Sequence, residues 1–292
     1  MKTHRLCFAG TILAIASEGE GPDRIIDFLF SDIPRTDLDP PHVTFRLIEE
    51  DETGEFRLYR ENELERRTQS QTAMIAYLLD RTVYHLANHS RTGLVFHGAA
   101  LAWKGRGILL PGRSGSGKTT LAAWLLTHGF DYLTDEMTFI PLDTTQLQGL
   151  ARPLNVKKGS QGVLKEMLDA DVLPKEMVSD GTRTIAPPRA FGPCQVLHSV
   201  PLQLMLFPRF SLQEDFEFNE QSKGENALHL MECLINARNL PGHGFSEVVR
   251  LARTIPAYSA KYGRIDQVGD AIIKTMNTIV ERGEVDPTVR TA

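Results

Sequence analysis

The apolar positions of this chain change their period several times, and each change marks an element. Residues 4–16 form an almost unbroken apolar run that predicts a first β-strand, residues 23–30 read as a short helix, and residues 34–41 as a proline-bearing loop. Strand character over 43–49 and 56–60, with the turn residues Asp51-Glu52-Thr53-Gly54 between them, predicts a hairpin. Ile75, Leu78, Leu79, Thr82 and Leu86 recur at helical spacing, so residues 70–89 read as an amphipathic helix that bridges the N-terminal part to the rest of the chain.

From Leu94 the texture becomes apolar strands broken by glycine turns: a strand over 94–103, a turn at 104–107 and a second strand at 108–111. A helix-like segment over 120–127 ends at Gly129, a strand over 131–134 leads to the acidic pair Asp135-Glu136, and another apolar run covers 137–142. Residues 143–194 are less regular, with Pro153, Pro174, Pro187, Pro188 and Pro193 marking loops suited to lids or substrate contacts. A strand over 196–210 and helices over 225–237, 245–254 and 265–282 complete the chain. The mixture predicts an α/β protein, with a small α+β N-terminal domain over 1–90 and a larger domain over 91–292.

Between the strand at 108–111 and the following helix stand Gly112, Arg113, Ser114, Gly115, Ser116, Gly117, Lys118 and Thr119, a full match to the phosphate-binding loop G-x-x-x-x-G-K-[ST]. The glycines let successive backbone N–H groups converge on phosphate oxygens, the helix beginning near Thr120 adds its positive end, and Lys118 brings a point charge to the outer phosphates. Thr119 is placed to ligate magnesium. ATP and Mg²⁺ are the expected ligands. Asp135 and Glu136 follow a strand predicted beside the loop strand, which lets one carboxylate hold metal and the other accept a hydroxyl proton. No N-K-x-D and no L-S-G-G-Q occurs, which argues against a guanine-selective GTPase and a transporter ATPase.

Composition narrows the classes further. With 41% hydrophobic and 24% charged residues the chain of 292 residues has a globular composition, and a formal net charge of −5 leaves no overall basic footprint for nucleic acid. Cys7, Cys194 and Cys233 are odd in number and widely spaced, so neither a disulfide framework nor a zinc site is expected. No apolar run approaches the roughly 18–20 residues of a membrane span, so no membrane partner is expected. The start, Met1 to Arg5 followed by an apolar stretch ending Ala14-Ile15-Ala16, has the look of a short secretory signal, but a first strand competes for the same residues and an ATP-using site favours the cytoplasm.

The stretch FHGAALAWKGRGILLPGRSGSGKTTLAAWLLTHGFDYLTDE resembles the catalytic core of the HPr kinase/phosphorylase family, in which a strand-borne His-Gly, a phosphate loop and an acidic pair occur in this order. ARPLNVKKGS and IPAYSAKYGRIDQVGDAI resemble its HPr-kinase-related branch found beside peptide-modification genes, whose members include kinases acting on lasso-peptide precursors. The resemblance covers roughly residues 90–275. It implies a P-loop HPr-kinase-like domain in which Asp135 is the general base, Glu136 the second acid near magnesium, and His97 a neighbour that tunes Asp135. Arg152 and Lys157, in R-P-x-x-x-K, are implied contacts to phosphate or acceptor, with a weaker claim for Arg183. The phosphorylase loop of the bifunctional enzymes has no counterpart between Arg183 and Phe210, which implies a kinase only. The implied acceptor is a Ser/Thr-type hydroxyl of a peptide or small protein. A free small molecule such as serine, or an ATP-binding regulatory NTPase with no acceptor, are the alternatives, and self-association is left open.

Overall fold

The computed structural model describes residues 1–38, 40–160, 162–163, 166–168, 177–179, 181–213 and 215–284. Its N-terminal part is a five-stranded sheet of β1 (Lys2–Phe8), β2 (Thr11–Glu18), β3 (Val43–Glu49), β4 (Phe56–Arg60) and β5 (Glu63–Thr68), in sequence order. The apolar run over 4–16 is therefore two strands. Ala9 and Gly10 both take positive φ, 53° and 73°, which is the conformation a two-residue hairpin turn needs. β2 and β3 are parallel, and α1 (Glu20–Phe30) makes the crossover that a parallel pair requires.

Helix α2 (Gln71–His89) starts at Ser70, whose hydroxyl accepts from the Ala73 N–H at 3.2 Å. Its stripe of Met74, Ile75, Leu78, Leu79 and Leu86 packs with Ile25, Ile26 and Leu29 of α1 against Phe45, Leu47 and Leu58 of the sheet. The same core takes in Val95, Met137, Phe139, Leu150 and Ile185 from later in the chain.

The second sheet has eight strands: β6 (Gly93–Trp103), β7 (Arg106–Pro111), β8 (Asp131–Thr134), β9 (Met137–Pro141), β10 (Gln146–Gly149), β14 (Ser199–Phe210), β15 (Glu217–Glu220) and β16 (Ala257–Tyr262). The order runs β10-β9-β6-β7-β14-β16-β15, with β8 also on β6 and β10 also on β14. Only β7–β14 and β14–β16 pair in parallel, so the C-terminal ends of these three strands lie side by side. A small sheet of β11 (Leu154–Lys157), β12 (Val178–Ser179) and β13 (Arg183–Ala186) stands in the region that read as irregular. Pro174 lies outside the described residues.

Strand β6 explains the layering. Ala99 and Leu101 face α3 (Lys118–Thr127) and α6 (Ile265–Glu284), while Phe96, Ala100 and Ala102 face α4 (Lys223–Cys233) and α5 (Phe245–Thr254). A strand buried on both faces reads as a continuous apolar run rather than an alternation. His97 is its one polar interruption, and it marks the site.

Candidate active site

The G-x-x-x-x-G-K-T loop leaves β7 at Gly112 and enters α3 at Lys118. Gly115 and Gly117 have φ of 90° and 95°, a region that penalises a Cβ, and at Gly117 a Cβ would also run into the Tyr262 hydroxyl. The loop is pinned from the neighbouring strand end, where the Phe210 N–H donates to the Ser116 carbonyl at 3.3 Å. Helix α3 is enclosed by core on nearly every side, with Leu121, Ala122, Ala123, Leu125 and Leu126 buried, so its N-terminal turn is held rigidly toward the loop. The N–H groups of that turn have no intrahelical acceptors and are available to an anion.

Lys118 is buried, and its Nζ donates to the Gly112 carbonyl at 2.7 Å and the Arg113 carbonyl at 2.8 Å. Burial lowers its proton affinity, while Glu136 and Asp135 act in the opposite sense. Thr119 follows at the start of the helix, and its Oγ1 donates to Asp135 Oδ2 at 3.3 Å.

The acidic pair sits at the bend between β8 and β9, next to β6 through a hydrogen bond from the Gly98 N–H to the Glu136 carbonyl at 3.0 Å. Asp135 is buried and held from several sides: Arg152 Nη2 at 3.3 Å, the Asn155 N–H at 3.3 Å and the Tyr132 hydroxyl at 3.4 Å. Glu136 has both oxygens engaged, Oε1 with His97 Nδ1 at 3.0 Å and Oε2 with Arg152 Nη2 at 2.7 Å. Burial alone raises both acids. For Asp135 burial wins, assisted by the charge of Glu136, and its proton affinity lies above the ordinary aspartate value. For Glu136 the His97 hydrogen bond and the Arg152 charge overcome burial and hold it at about 2.

These groups surround a cavity of about 440 Å³. His97, Ser114, Gly115, Gly117, Lys118, Thr119, Thr120, Asp135, Glu136 and Lys157 all line it, so one cavity gathers most of the residues that the sequence singled out. Lys157 Nζ reaches the loop tip at Ser114 Oγ, 2.6 Å away. Gly112 and Ser116 belong to the same loop without lining the cavity, and three further residues stand elsewhere. Arg152 is buried behind the acidic pair and clamps Asp135 to Glu136, which is a different place from the phosphate or acceptor contact expected of it. Arg183 is opposite Lys157 in the β11–β13 register without lining the cavity. Arg113 points outward to Glu232 at 3.5 Å.

Tyr132, Asn155, Phe210 and Tyr262 escaped the sequence reading. Tyr132 also donates to the Arg152 carbonyl at 2.8 Å, fixing the segment that carries the arginine. Tyr132 stands on β8, just ahead of the acidic pair, whereas Asn155, Phe210 and Tyr262 arrive from distant elements, the last two brought beside the loop by the parallel pairing of β7, β14 and β16.

Several polar atoms here lack a protein partner. Ser116 Oγ, Arg152 Nε, Asn155 Oδ1 and the Tyr262 hydroxyl are buried without a hydrogen bond, a costly state, and of these residues Asn155 and Tyr262 line the cavity. The donor set of one hydroxyl and two carboxylates suits a magnesium ion shared with phosphate oxygens. Among the described residues no group of three or more His, Cys, Asp or Glu forms a metal cage, and no helix is long and apolar enough to cross a membrane.

No protein-family model matches the chain, and no curated protein matches it. Among solved structures it is similar to the Hpr(Ser) kinase/phosphatase from Coxiella burnetii, at 11% identity and a TM-score of 0.35, over 68% of this chain and 99% of that one. So low a TM-score carries no argument, and the functional assignment rests on the residues of the site itself.

Proposed function

We propose that the protein is an ATP-dependent kinase that transfers the γ-phosphate to a Ser/Thr-type hydroxyl, with a peptide or small protein as the favoured acceptor. The observation that carries this reading is the meeting of Lys118 and Thr119 with Asp135 and Glu136 across one cavity. Phosphoryl transfer asks the protein chiefly for positioning and for charge fixed around the transferred group, and this arrangement offers both. The loop and the α3 N-terminus hold the phosphates, and Lys118 turns from its own loop carbonyls toward the outer ones. Thr119 and Glu136 would hold magnesium, which when bound neutralises charge on the phosphates.

Asp135 acts as the base in this reading. Glu136 has His97 on one oxygen, Arg152 on the other and a proton affinity held at about 2, so it stays ionised and suits a metal. Asp135 lies beside the loop threonine with a raised proton affinity, as a group that must take the acceptor's proton requires. The contact from Thr119 also admits the opposite division, with Asp135 serving the metal. The low proton affinity of Glu136 against the raised one of Asp135 favours the first. Arg152 and His97 position the pair, and Tyr132 and Asn155 hold Asp135 in turn.

The reading is tested with γ-labelled ATP and candidate hydroxyl acceptors, peptides and free serine included. Label recovered on a separate acceptor supports a kinase. Label recovered only as free phosphate across a broad acceptor panel replaces it with a regulatory NTPase.

A further inference from the structure

The cavity has a second half that the phosphate chemistry leaves unused. Beyond the loop, its wall is made by Phe210 at the end of β14 with Leu212 beyond it, Tyr262 at the end of β16 with Gly263 beyond it, Ile265 at the start of α6, and Val163. These segments leave the C-terminal ends of strands running parallel to β7, the edge of an α/β sheet where ligands settle. Phe210 and Leu212 are 45% and 81% exposed, although each is a large apolar side chain bordering a cavity. Phe210 meets the Tyr262 ring edge-on with centroids 5.7 Å apart, so its face is set by a fixed neighbour. Tyr262 is 1% exposed, with its hydroxyl unpartnered against Gly117 of the loop. Among the described lining residues from Gly159 onward, Tyr262 is the only one with a polar side chain.

We infer that this half seats the base of the nucleotide by apolar and stacking contact on Phe210 and Leu212, while the Tyr262 hydroxyl serves the sugar-phosphate and no side chain among the described residues reads the base edge. The donor is thus chosen for its triphosphate, and purine and pyrimidine nucleoside triphosphates serve alike. The physical ground is that every base has an apolar face, whereas discrimination needs hydrogen-bonding groups placed on its edge. A base also covers the two exposed side chains. This inference rests on the phosphate reading of the loop.

The test is calorimetry on the full chain with magnesium, using non-hydrolysable analogues of ATP, GTP, CTP and UTP, and inorganic triphosphate as the base-free probe. The four analogues are expected to bind within about fivefold of one another. Phe210→Ala is expected to weaken all four by about tenfold while leaving triphosphate within twofold, and Tyr262→Phe, which keeps the ring, is expected to weaken the four nucleotides alone. A preference of a hundredfold or more for one base overturns the inference, as does an equal loss of triphosphate and nucleotides in Phe210→Ala. If triphosphate and all four analogues fail to bind the unaltered protein, the phosphate reading itself falls and this inference with it. If triphosphate binds but Phe210→Ala changes no nucleotide affinity, the inference alone falls.

Discussion

Two ionic clusters in this molecule look alike in composition and differ in what surrounds them. In the N-terminal part Glu65 accepts from Arg81 at 2.9 and 3.0 Å and from Arg60 at 2.6 Å, and Arg81 reaches His85 Nε2 at 2.9 Å. At the loop end of the larger sheet Arg152 joins Asp135 and Glu136, and His97 joins Glu136. The first cluster lies among the rings of Phe45, Tyr84 and His89, and none of its members lines the 440 Å³ cavity. The second opens through Asp135, Glu136 and His97 onto that cavity, with the glycine-rich loop ending in Lys118 and Thr119 lining it too. A dense set of charges thus does not mark a site. The cavity and the loop that faces it do.

The difference in burial gives the largest expected effect. Arg152 and Asp135 are both nearly inaccessible, whereas Arg81 keeps about a quarter of its side chain in water. Arg152→Met leaves two carboxylates uncompensated and is expected to cost about 3–5 kcal/mol of unfolding free energy, against about 1 kcal/mol for Arg81→Met, both read by urea titration. Equal losses would erase the distinction between the clusters.

Next in size is the effect of Lys118. Lys118→Ala is expected to weaken ATP by about a hundredfold, some 2.7 kcal/mol, and AMP hardly at all, if the lysine serves the outer phosphates as proposed. Calorimetry with both nucleotides reads the difference, and equal losses would remove Lys118 from the outer-phosphate role proposed for it. Arg81→Met should leave both affinities unchanged.

The N-terminal cluster has its own pH signature. Burial, then the neighbouring charge of Arg81, lowers His85 from 6.5 to about 4. The unfolded chain therefore binds this proton more tightly than the folded one, so the stability linked to His85 is fully present above about pH 6.5 and is lost as pH falls toward 4. Denaturant titrations from pH 7 to 4 should show this loss, and His85→Gln should flatten it. An unchanged slope in that variant would locate the dependence elsewhere.

The smallest expected effect is none. Lys118 and Lys157 are the Lys or Arg residues among the described cavity lining, and both lie on the loop side. A second anion pocket facing Asp135 has no cation of its own there, so phosphorylated acceptor with inorganic phosphate is expected to yield no pyrophosphate. Pyrophosphate formation that is lost in Asp135→Asn would contradict the kinase-only reading.

The sequence made the two halves of the site unequally legible. The phosphate loop is local: eight consecutive residues between a strand and a helix carry their own geometry. The acidic pair is visible as residues, but its cage is not, because His97 meets it through the β6–β9 pairing and Arg152 through the segment leading to β11. Strand β5 has no apolar face to announce it, with Glu63-Leu64-Glu65-Arg66-Arg67-Thr68 largely exposed at a sheet edge. The β1–β2 hairpin was hidden for the opposite reason, since apolar residues run on both sides of Ala9-Gly10 and leave no polar turn to read.

The central claim is that Asp135 takes the acceptor's proton while Glu136 serves the metal, and one paired measurement tests it. With an acceptor identified by the labelling experiment, Asp135→Asn and Glu136→Gln are compared for transfer rate and for ATP affinity across a magnesium titration. The account predicts that Asp135→Asn keeps ATP affinity within a few-fold and lowers transfer by about 10² or more, while Glu136→Gln raises the magnesium requirement. A magnesium defect in Asp135→Asn together with a loss of transfer alone in Glu136→Gln would reverse the two roles and contradict the account.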